Sequence, residues 1–315
     1  MRVLIGPSSF GRGGSQPLDL LRECGYQVVM NPYGRRLAAD EVVGLGQGCV
    51  GIIAGLEPLT AEVLAQLPGL RCISRSGVGL DNVDLTAARA RGIVVRNTPE
   101  APTRAVAELT LGLIIALLRR FPLADRNLRA GVWQKETGSL LLGRTVGIVG
   151  LGRIGQMVAE MLVALGCTVC GTDPQPDREW LAQYPIELLE LAELLRRSDV
   201  VSLHAALPAG SKPLIAATEL ALMKKSAALL NLARACVVDE DALYDALAEG
   251  NLAGAALDVF LEEPYHGRFT KLDNVILTPH IGSNTKETKL AMETQAVLNL
   301  LDTLGENGSR NFHKR

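Results

Sequence analysis

Three side chains in the second half of the chain could together move a proton and hold an anion. Arg234 lies in Asn231-Leu232-Ala233-Arg234, Glu263 in Asp258-Val259-Phe260-Leu261-Glu262-Glu263-Pro264, and His280 in Thr278-Pro279-His280-Ile281-Gly282. Each follows an apolar, strand-like run, the edge at which open α/β sheets bind ligands. His280 can titrate near neutral pH and serve as general base for alcohol oxidation or general acid for keto reduction. Glu263 would orient the ring and stabilise its imidazolium form. Arg234 can grip a carboxylate at two points and polarise a reacting carbonyl, which a lysine would do less specifically. Taken singly these are ordinary loop and surface residues. Their joint occurrence gains weight from what precedes them.

That context is a strand-like run, Val146 to Val149, meeting Gly150-Leu151-Gly152-Arg153-Ile154-Gly155, then a helix pattern to about Leu165, a second run Thr168 to Thr172, and Asp173. This order of strand, glycines, helix, strand and carboxylate is a dinucleotide-binding fingerprint. Gly150 makes the tight turn, Gly152 lets the backbone approach a pyrophosphate, and Gly155 permits close helix packing. The pyrophosphate would sit at the helix N-terminus, near the backbone of Arg153 and Ile154. Asp173 can accept hydrogen bonds from ribose hydroxyls and would repel a 2′-phosphate. Pro174-Gln175-Pro176-Asp177 supplies no cation to offset it, so NAD is expected over NADP.

Composition narrows the partners. The 315 residues carry 32 basic and 34 acidic side chains, a formal charge of −2, with 48% hydrophobic but only 4% aromatic content. That balance offers neither an electrostatic footprint for nucleic acid or anionic lipid nor stacking platforms for bases. It suits parallel sheets of Ala, Val, Leu and Ile under helices. No charge-free run reaches membrane-spanning length, and the N-terminus enters a strand pattern at once, so a cytoplasmic protein is expected. Cys24, Cys49, Cys72, Cys167, Cys170 and Cys236 define no disulfide framework and read as buried thiols, Cys167 and Cys170 forming a C-x-x-C by count only. The four histidines, His204, His266, His280 and His313, show no metal-ligand spacing, so no metal is expected.

The elements that must position these residues alternate between strand and helix, which predicts α/β architecture: two doubly wound, Rossmann or flavodoxin-like parallel-sheet domains with a ligand cleft between them. Strands are expected at Val3 to Ile5, Gln27 to Met30, Val50 to Ala54, Cys72 to Ser74 and Ile93 to Val95, with helices as at Glu62 to Gln66 and Leu85 to Ala90. A long apolar helix, Thr103 to Arg120, then leads to the fingerprint. Later strands are expected at Asp199 to His204, Ala227 to Leu232, Gly254 to Val259 and Val275 to Leu277. A last helix, about Lys286 to Leu304, is expected to return to the first domain, and the polar residues from Gly305 to Arg315 read as frayed.

The chain resembles the NAD-dependent D-isomer-specific 2-hydroxyacid dehydrogenases, in particular their short phosphoglycerate dehydrogenase-like members. The resemblance covers nearly the whole chain. It rests on Gly77-Val78-Gly79-Leu80-Asp81-Asn82-Val83-Asp84, Asn97-Thr98-Pro99, Ala105-Val106-Ala107-Glu108-Leu109, the glycine fingerprint, Met223-Lys224, Asn231-Leu232-Ala233-Arg234, Val238-Asp239-Glu240, Ala256-Leu257-Asp258-Val259-Phe260, Glu263-Pro264 and Thr278-Pro279-His280-Ile281-Gly282. It implies that Arg234, Glu263 and His280 are a catalytic trio. It also implies that Arg75-Ser76-Gly77-Val78-Gly79 presents backbone amides to a substrate carboxylate, a task glycines suit. Cofactor contacts are implied for Val78, Thr103, His204, Pro208, Leu232, Ala233, Arg234, Asp258, His280 and Gly282, beside the fingerprint residues. On this basis residues 1–99, completed by 286–315, form a substrate-binding domain, and 100–285 an NAD-binding domain. Homodimerisation through the nucleotide domain is implied as well, with Ala105 to Leu118 and the Trp133 segment as its surface.

The implied activity is interconversion of a D-2-hydroxy acid and its 2-keto acid, with D-3-phosphoglycerate, glycerate or hydroxypyruvate, glyoxylate and other small acids open as substrates. An NADH-sensing corepressor-like scaffold of the same fold is the alternative of another class. Two departures bear on the substrate. Ala233-Arg234-Ala235-Cys236 replaces a common Ala-Arg-Gly-Gly, placing Cβ atoms in that turn. Glu57, in Ala54-Gly55-Leu56-Glu57-Pro58, has the wrong charge for a phosphate ligand, leaving Arg75 or Arg104 to compensate.

Overall fold

A computed structural model of the chain describes residues 1–208 and 210–305. His313 and all but the first residue of the tail read as frayed lie outside the described residues. The chain divides into two units, Met1–Pro102 with Asn284–Arg315, and Thr103–Ser283.

The first unit is built on five strands, β1 (Arg2–Ile5), β2 (Gln27–Met30), β3 (Cys49–Ala54), β4 (Cys72–Arg75) and β5 (Val94–Arg96), paired in the order β2-β1-β3-β4-β5. All pairings are parallel. Alternation along the strands divides the core. Leu4, Ile52 and Ile73 pack with Val42, Val63 and Leu64, while Val3, Ile5, Ile53 and Cys72 pack with Leu21 and with Ala296, Val297 and Leu300 of the Lys286–Thr303 helix. The order reverses beside β1, so the turns after β1 and β3 flank a switch point.

The second unit has seven parallel strands, β6 (Thr145–Val149), β7 (Thr168–Thr172), β8 (Ile186–Leu188), β9 (Val200–Leu203), β10 (Ala228–Asn231), β11 (Gly254–Leu257) and β12 (Val275–Leu277), in the order β12-β11-β10-β9-β6-β7-β8. Val146, Ile148, Val200, Leu230 and Ala256 pack under Ala107 and Ile114 of the Thr103–Arg119 helix and Val158 and Leu162 of the Arg153–Ala164 helix. Val201, Leu203, Leu229 and Ala255 face the opposite layer with Leu243 and Leu247. Its switch point lies between β6 and β9.

Several bounds differ from the sequence reading. Asp199 precedes β9, where its carboxylate accepts from the Thr145 amide (3.0 Å) and pairs with Lys224 (2.8 Å). Ile93 is tied back to the Ala88 carbonyl, so β5 begins one residue later. The edge strand β8, three residues after Pro185, is too short to leave a periodic signal. Cys236 is exposed, against the expectation of a buried thiol; Cys49, Cys72 and Cys170 are buried, and Cys24 and Cys167 partly so. Burial pushes the thiols of Cys167 and Cys170 up, which disfavours the reactive thiolate and supports a packing role for the C-x-x-C.

Candidate active site

In the second unit, Arg234, Glu263 and His280 follow three adjacent strands, β10, β11 and β12, on the carboxyl-terminal edge of the sheet. Two of the three meet. His280 Nδ1 lies 3.0 and 3.1 Å from the two Glu263 carboxylate oxygens. A carboxylate only accepts, so Nδ1 carries the hydrogen and the neutral ring presents Nε2 as the site that gains or gives a proton. Both side chains remain accessible, at 49% and 37% of full exposure, which a pair that must reach a substrate requires.

The backbone makes that meeting possible. His280 sits in the left-handed region (φ 51°), where a non-glycine residue is uncommon, and its amide donates to the Thr278 carbonyl at 2.9 Å. The turn is held by Asp258, which is almost wholly buried. One Asp258 oxygen accepts from the Thr278 hydroxyl (2.6 Å) and the Ile281 amide (2.8 Å), and the other from the Gly282 amide (2.8 Å). A Cβ on Gly282 would crowd that carboxylate at 3.2 Å and Val106 at 3.3 Å. Glu263 is oriented from its own loop, where one oxygen accepts from the Phe260 amide at 3.2 Å, and its bond to Pro264 is cis.

Arg234 is set by Asn231, a buried residue whose part the sequence reading missed. Its side-chain amide donates to the Arg234 carbonyl (3.0 Å) and its oxygen accepts from the Ala233 amide (3.1 Å), closing the turn after β10. Arg234 Nη1 donates to the Ala233 carbonyl at 2.8 Å. The only hint of this in the sequence was a polar residue ending an otherwise apolar strand.

The residues of the glycine fingerprint fit a dinucleotide. Gly150 adopts φ 93°, and a Cβ there would lie 2.7 Å from the Ala205 nitrogen. A Cβ on Gly155 would fall on the Gly150 carbonyl oxygen, so close helix approach requires glycine. A Cβ on Gly152 would point into open space, the side from which an anion can reach the backbone. The Arg153–Ala164 helix starts there without a side-chain cap, leaving the first-turn amides of Arg153, Ile154 and Gly155 for a ligand. Asp173 directly follows β7 with its carboxylate turned onto the loop, accepting from the Leu151 amide (2.7 Å) and the Gln175 amide (2.8 Å). Each oxygen retains a further lone pair for a hydroxyl.

Other residues implied for cofactor contact gather around the same sheet edge. His204 follows β9, with Nε2 2.9 Å from Ser202 Oγ and a buried Nδ1 that has no partner among the described residues. Burial pushes its pKa down from 6.5 to about 4, so the ring is neutral at physiological pH. The Thr103 hydroxyl is likewise buried without a partner among those residues. Orphaned polar atoms of this kind are what a bound polar ligand would satisfy. Pro208 lies in the loop after β9, and Leu232 and Ala233 in the Asn231-held turn.

In the first unit, not all amides of the Arg75 to Gly79 loop are available. The Ser76 amide donates to the Ala54 carbonyl (2.9 Å) and the Gly77 amide to Thr98 Oγ1 (2.8 Å). Val78 and Gly79 keep amides without a partner among the described residues. Gly77 has φ 145°, Asn97 donates to the Val78 carbonyl at 2.7 Å, and Asn82 ties the loop to Gly55 and Glu57. The Arg75 guanidinium donates to the Ser76 carbonyl. Glu57 is almost wholly buried on the turn after β3, accepting from the Gly55 amide at 2.9 Å, and burial raises its pKa.

No helix among the described residues is long and apolar enough to cross a membrane, and no cluster of three or more ligating side chains that could hold a metal is found among them.

The family model described as D-isomer specific 2-hydroxyacid dehydrogenase, NAD binding domain, matches residues 111–282. A glyoxylate reductase from Thermofilum pendens is 43% identical over 259 residues, covering 79% of this chain and 76% of the relative. A D-3-phosphoglycerate dehydrogenase from Methanocaldococcus jannaschii is 42% identical over 240 residues, 75% of this chain and 46% of that protein. The chain thus spans about half the length of the curated D-3-phosphoglycerate dehydrogenases it matches. Among solved structures, the TT0316 protein from Thermus thermophilus superposes with a TM-score of 0.87 at 40% identity, covering 96% of this chain and 97% of the other.

Proposed function

Because the chain belongs to the D-isomer specific 2-hydroxyacid dehydrogenase family, we propose that it interconverts a D-2-hydroxy acid and its 2-keto acid by NAD-dependent hydride transfer. The observation that carries this reading is the His280–Glu263 pair, held by Asp258 on the same sheet edge as the glycine fingerprint. NAD supplies the hydride acceptor and, when reduced, the hydride donor. The Gly150 to Gly155 turn and Asp173 would hold it, with the Thr103 hydroxyl and His204 Nδ1 as further partners.

The chain's own residues then divide the remaining work. In the reducing direction His280 holds a proton on Nε2 and gives it to the oxygen that becomes the hydroxyl, while Glu263 stabilises the imidazolium before transfer. In the oxidising direction the neutral ring receives that proton. Arg234 is suited to draw electron density from the reacting carbonyl and to orient the acid. To the first unit by itself we assign anion binding through the amides of Val78 and Gly79, with Arg75 adding positive charge.

The relatives named D-3-phosphoglycerate dehydrogenase support a phosphorylated acid as substrate. A second reading, an unphosphorylated acid such as glyoxylate or hydroxypyruvate, is favoured by Glu57, a buried carboxylate beside the switch point of the first sheet, where a phosphate would call for a cation. We read the protein further as a cytoplasmic homodimer. Free cysteines support the compartment. Exposed Phe121, Leu128, Val132, Trp133, Leu140 and Leu142 on and after the Phe121–Arg129 helix support a protein-covered surface.

Product stereochemistry tests the activity. Reduction with NADH of hydroxypyruvate, its phosphorylated form or another accepted 2-keto acid whose product is chiral should yield only the D-hydroxy acid on chiral separation. A racemic or L product would overturn the assignment.

A further inference from the structure

Only 4% of the chain is aromatic, yet four rings gather at the base of the loop that carries Glu263. Phe260 and Tyr265 bracket Glu263 in sequence, and their rings stack at 4.2 Å with an interplanar angle of 21°. Tyr265 contacts Phe269 (6.1 Å between centroids), which is fully buried and in turn meets Tyr244 at 5.9 Å. The Tyr265 hydroxyl accepts from the Phe269 amide at 3.1 Å. The loop between the stacked rings is thus closed at both ends, and inside it the Phe260 amide donates to Glu263. Gly267 is what admits the Tyr265 ring, because a Cβ there would fall on the ring's outer atoms. Its φ of −81° is open to alanine, so the glycine's value lies in the space it leaves.

We propose that Tyr265 is a positioning residue that fixes the Glu263 carboxylate against His280, through its stack on Phe260 and its hydroxyl bond to Phe269. This rests on the reading of Glu263 and His280 as the proton-handling pair. Aromatic stacking of this kind, with the area it buries, is strong enough to select one loop conformation. Among the described residues, the charged groups shown bonding to the His280 turn are Glu263, on the loop after β11, and Asp258, whose oxygens hold the Ile281 and Gly282 amides. Glu240, from the Glu240–Ala248 helix, is committed to the Leu261 amide at 2.8 Å, and Arg268 to Asp241. A change that frees Glu263 alone should therefore be felt at the His280 ring.

The test is the His280 Nδ1–H proton resonance in the NMR spectrum of the full chain, assigned by its loss in His280→Gln. It is run on Tyr265→Phe, which keeps the stack, Tyr265→Leu, which abolishes it, and Gly267→Ala, which leaves Tyr265 intact but displaces its ring. That resonance should move upfield or be lost to exchange with solvent in Tyr265→Leu and Gly267→Ala, because Nδ1–H loses its Glu263 acceptor, and change less in Tyr265→Phe. The rate of 2-keto acid reduction should fall about tenfold in the same two variants with NADH affinity unchanged. A resonance equal to wild type in folded Tyr265→Leu or folded Gly267→Ala would overturn the proposal. If the resonance changes as expected while the wild-type protein reduces no 2-keto acid, Tyr265 positions Glu263 and the dehydrogenase reading alone fails.

Discussion

His280 Nδ1 lies within hydrogen-bond distance of both oxygens of Glu263, at 3.0 and 3.1 Å, although 17 residues and the strand β12 separate them in the chain. The pairing fixes the tautomer and leaves Nε2 for chemistry. Glu263→Gln keeps the shape but removes the charge that stabilises the protonated ring, so the rate of 2-keto acid reduction should fall about 100-fold while NADH binding, read by fluorescence titration, is retained. A rate within a factor of two of wild type would remove Glu263 from the proton-handling pair.

Asp258 accepts three hydrogen bonds with two oxygens and is almost wholly buried. Asp258→Asn puts an amide donor where only acceptors are wanted, leaving at least one of those donors unpaired. Unfolding in urea should show a loss of about 1–3 kcal/mol, together with a lower reduction rate because the His280 turn is released. An unchanged midpoint of unfolding would mean that the turn is held by other contacts.

Much of this was legible in the chain. Glycine spacing and the carboxylate just past β7 announced the dinucleotide site because each position has a steric or electrostatic requirement that few residue types meet. Arg234, Glu263 and His280 were visible as polar residues just past apolar runs. Hidden were the residues whose work is done by geometry. Asn231 and Thr278 read as motif letters, and Asp258 as a cofactor contact, until their hydrogen bonds appeared. The Phe260–Tyr265 stack across the four residues Leu261 to Pro264 has no periodic signature. Nor does sequence reveal which amides of the Arg75 to Gly79 loop are already used; Thr98, some twenty residues away, takes one of them.

Asp173 should govern cofactor choice. Its carboxylate faces the loop through Leu151 and Gln175, and no cation lies in Pro174 to Asp177. Asp173→Ala should raise the relative use of NADPH by about tenfold or more and loosen the glycine turn. Steady-state comparison of NADH and NADPH checks this, and an unaltered ratio would mean that another group sets the preference.

Gly155 lies where a Cβ would strike the Gly150 carbonyl oxygen, a backbone atom that cannot swing aside. Gly155→Ala should cost about 1–3 kcal/mol of stability and weaken NADH binding, because the helix must move away from the turn. Thermal melts with and without NADH measure both, and a variant with wild-type stability and affinity would contradict the packing role.

His204 makes stability fall in acid. Its pKa is about 4 in the folded protein against 6.5 when exposed, so between those values the unfolded chain binds a proton that the folded chain does not. Stability should therefore decline as pH drops through that window, by about 1.4 kcal/mol per unit from this residue, and stay level in this respect above it. Comparing urea unfolding of wild type and His204→Gln between pH 7 and 5 isolates the contribution; identical slopes would show that the ring protonates in the folded state.

The most direct measurement is oxidation of NADH, followed by absorbance, by the pure protein with 3-phosphohydroxypyruvate, hydroxypyruvate, glyoxylate, pyruvate and longer 2-keto acids, beside the His280→Ala variant. Wild type should oxidise NADH with at least one of these acids, and His280→Ala should lose about 100-fold or more of that rate while still binding NADH. NADH binding with no turnover of any acid, or full activity in His280→Ala, would contradict the assignment of His280 and Glu263 as the groups that carry the proton.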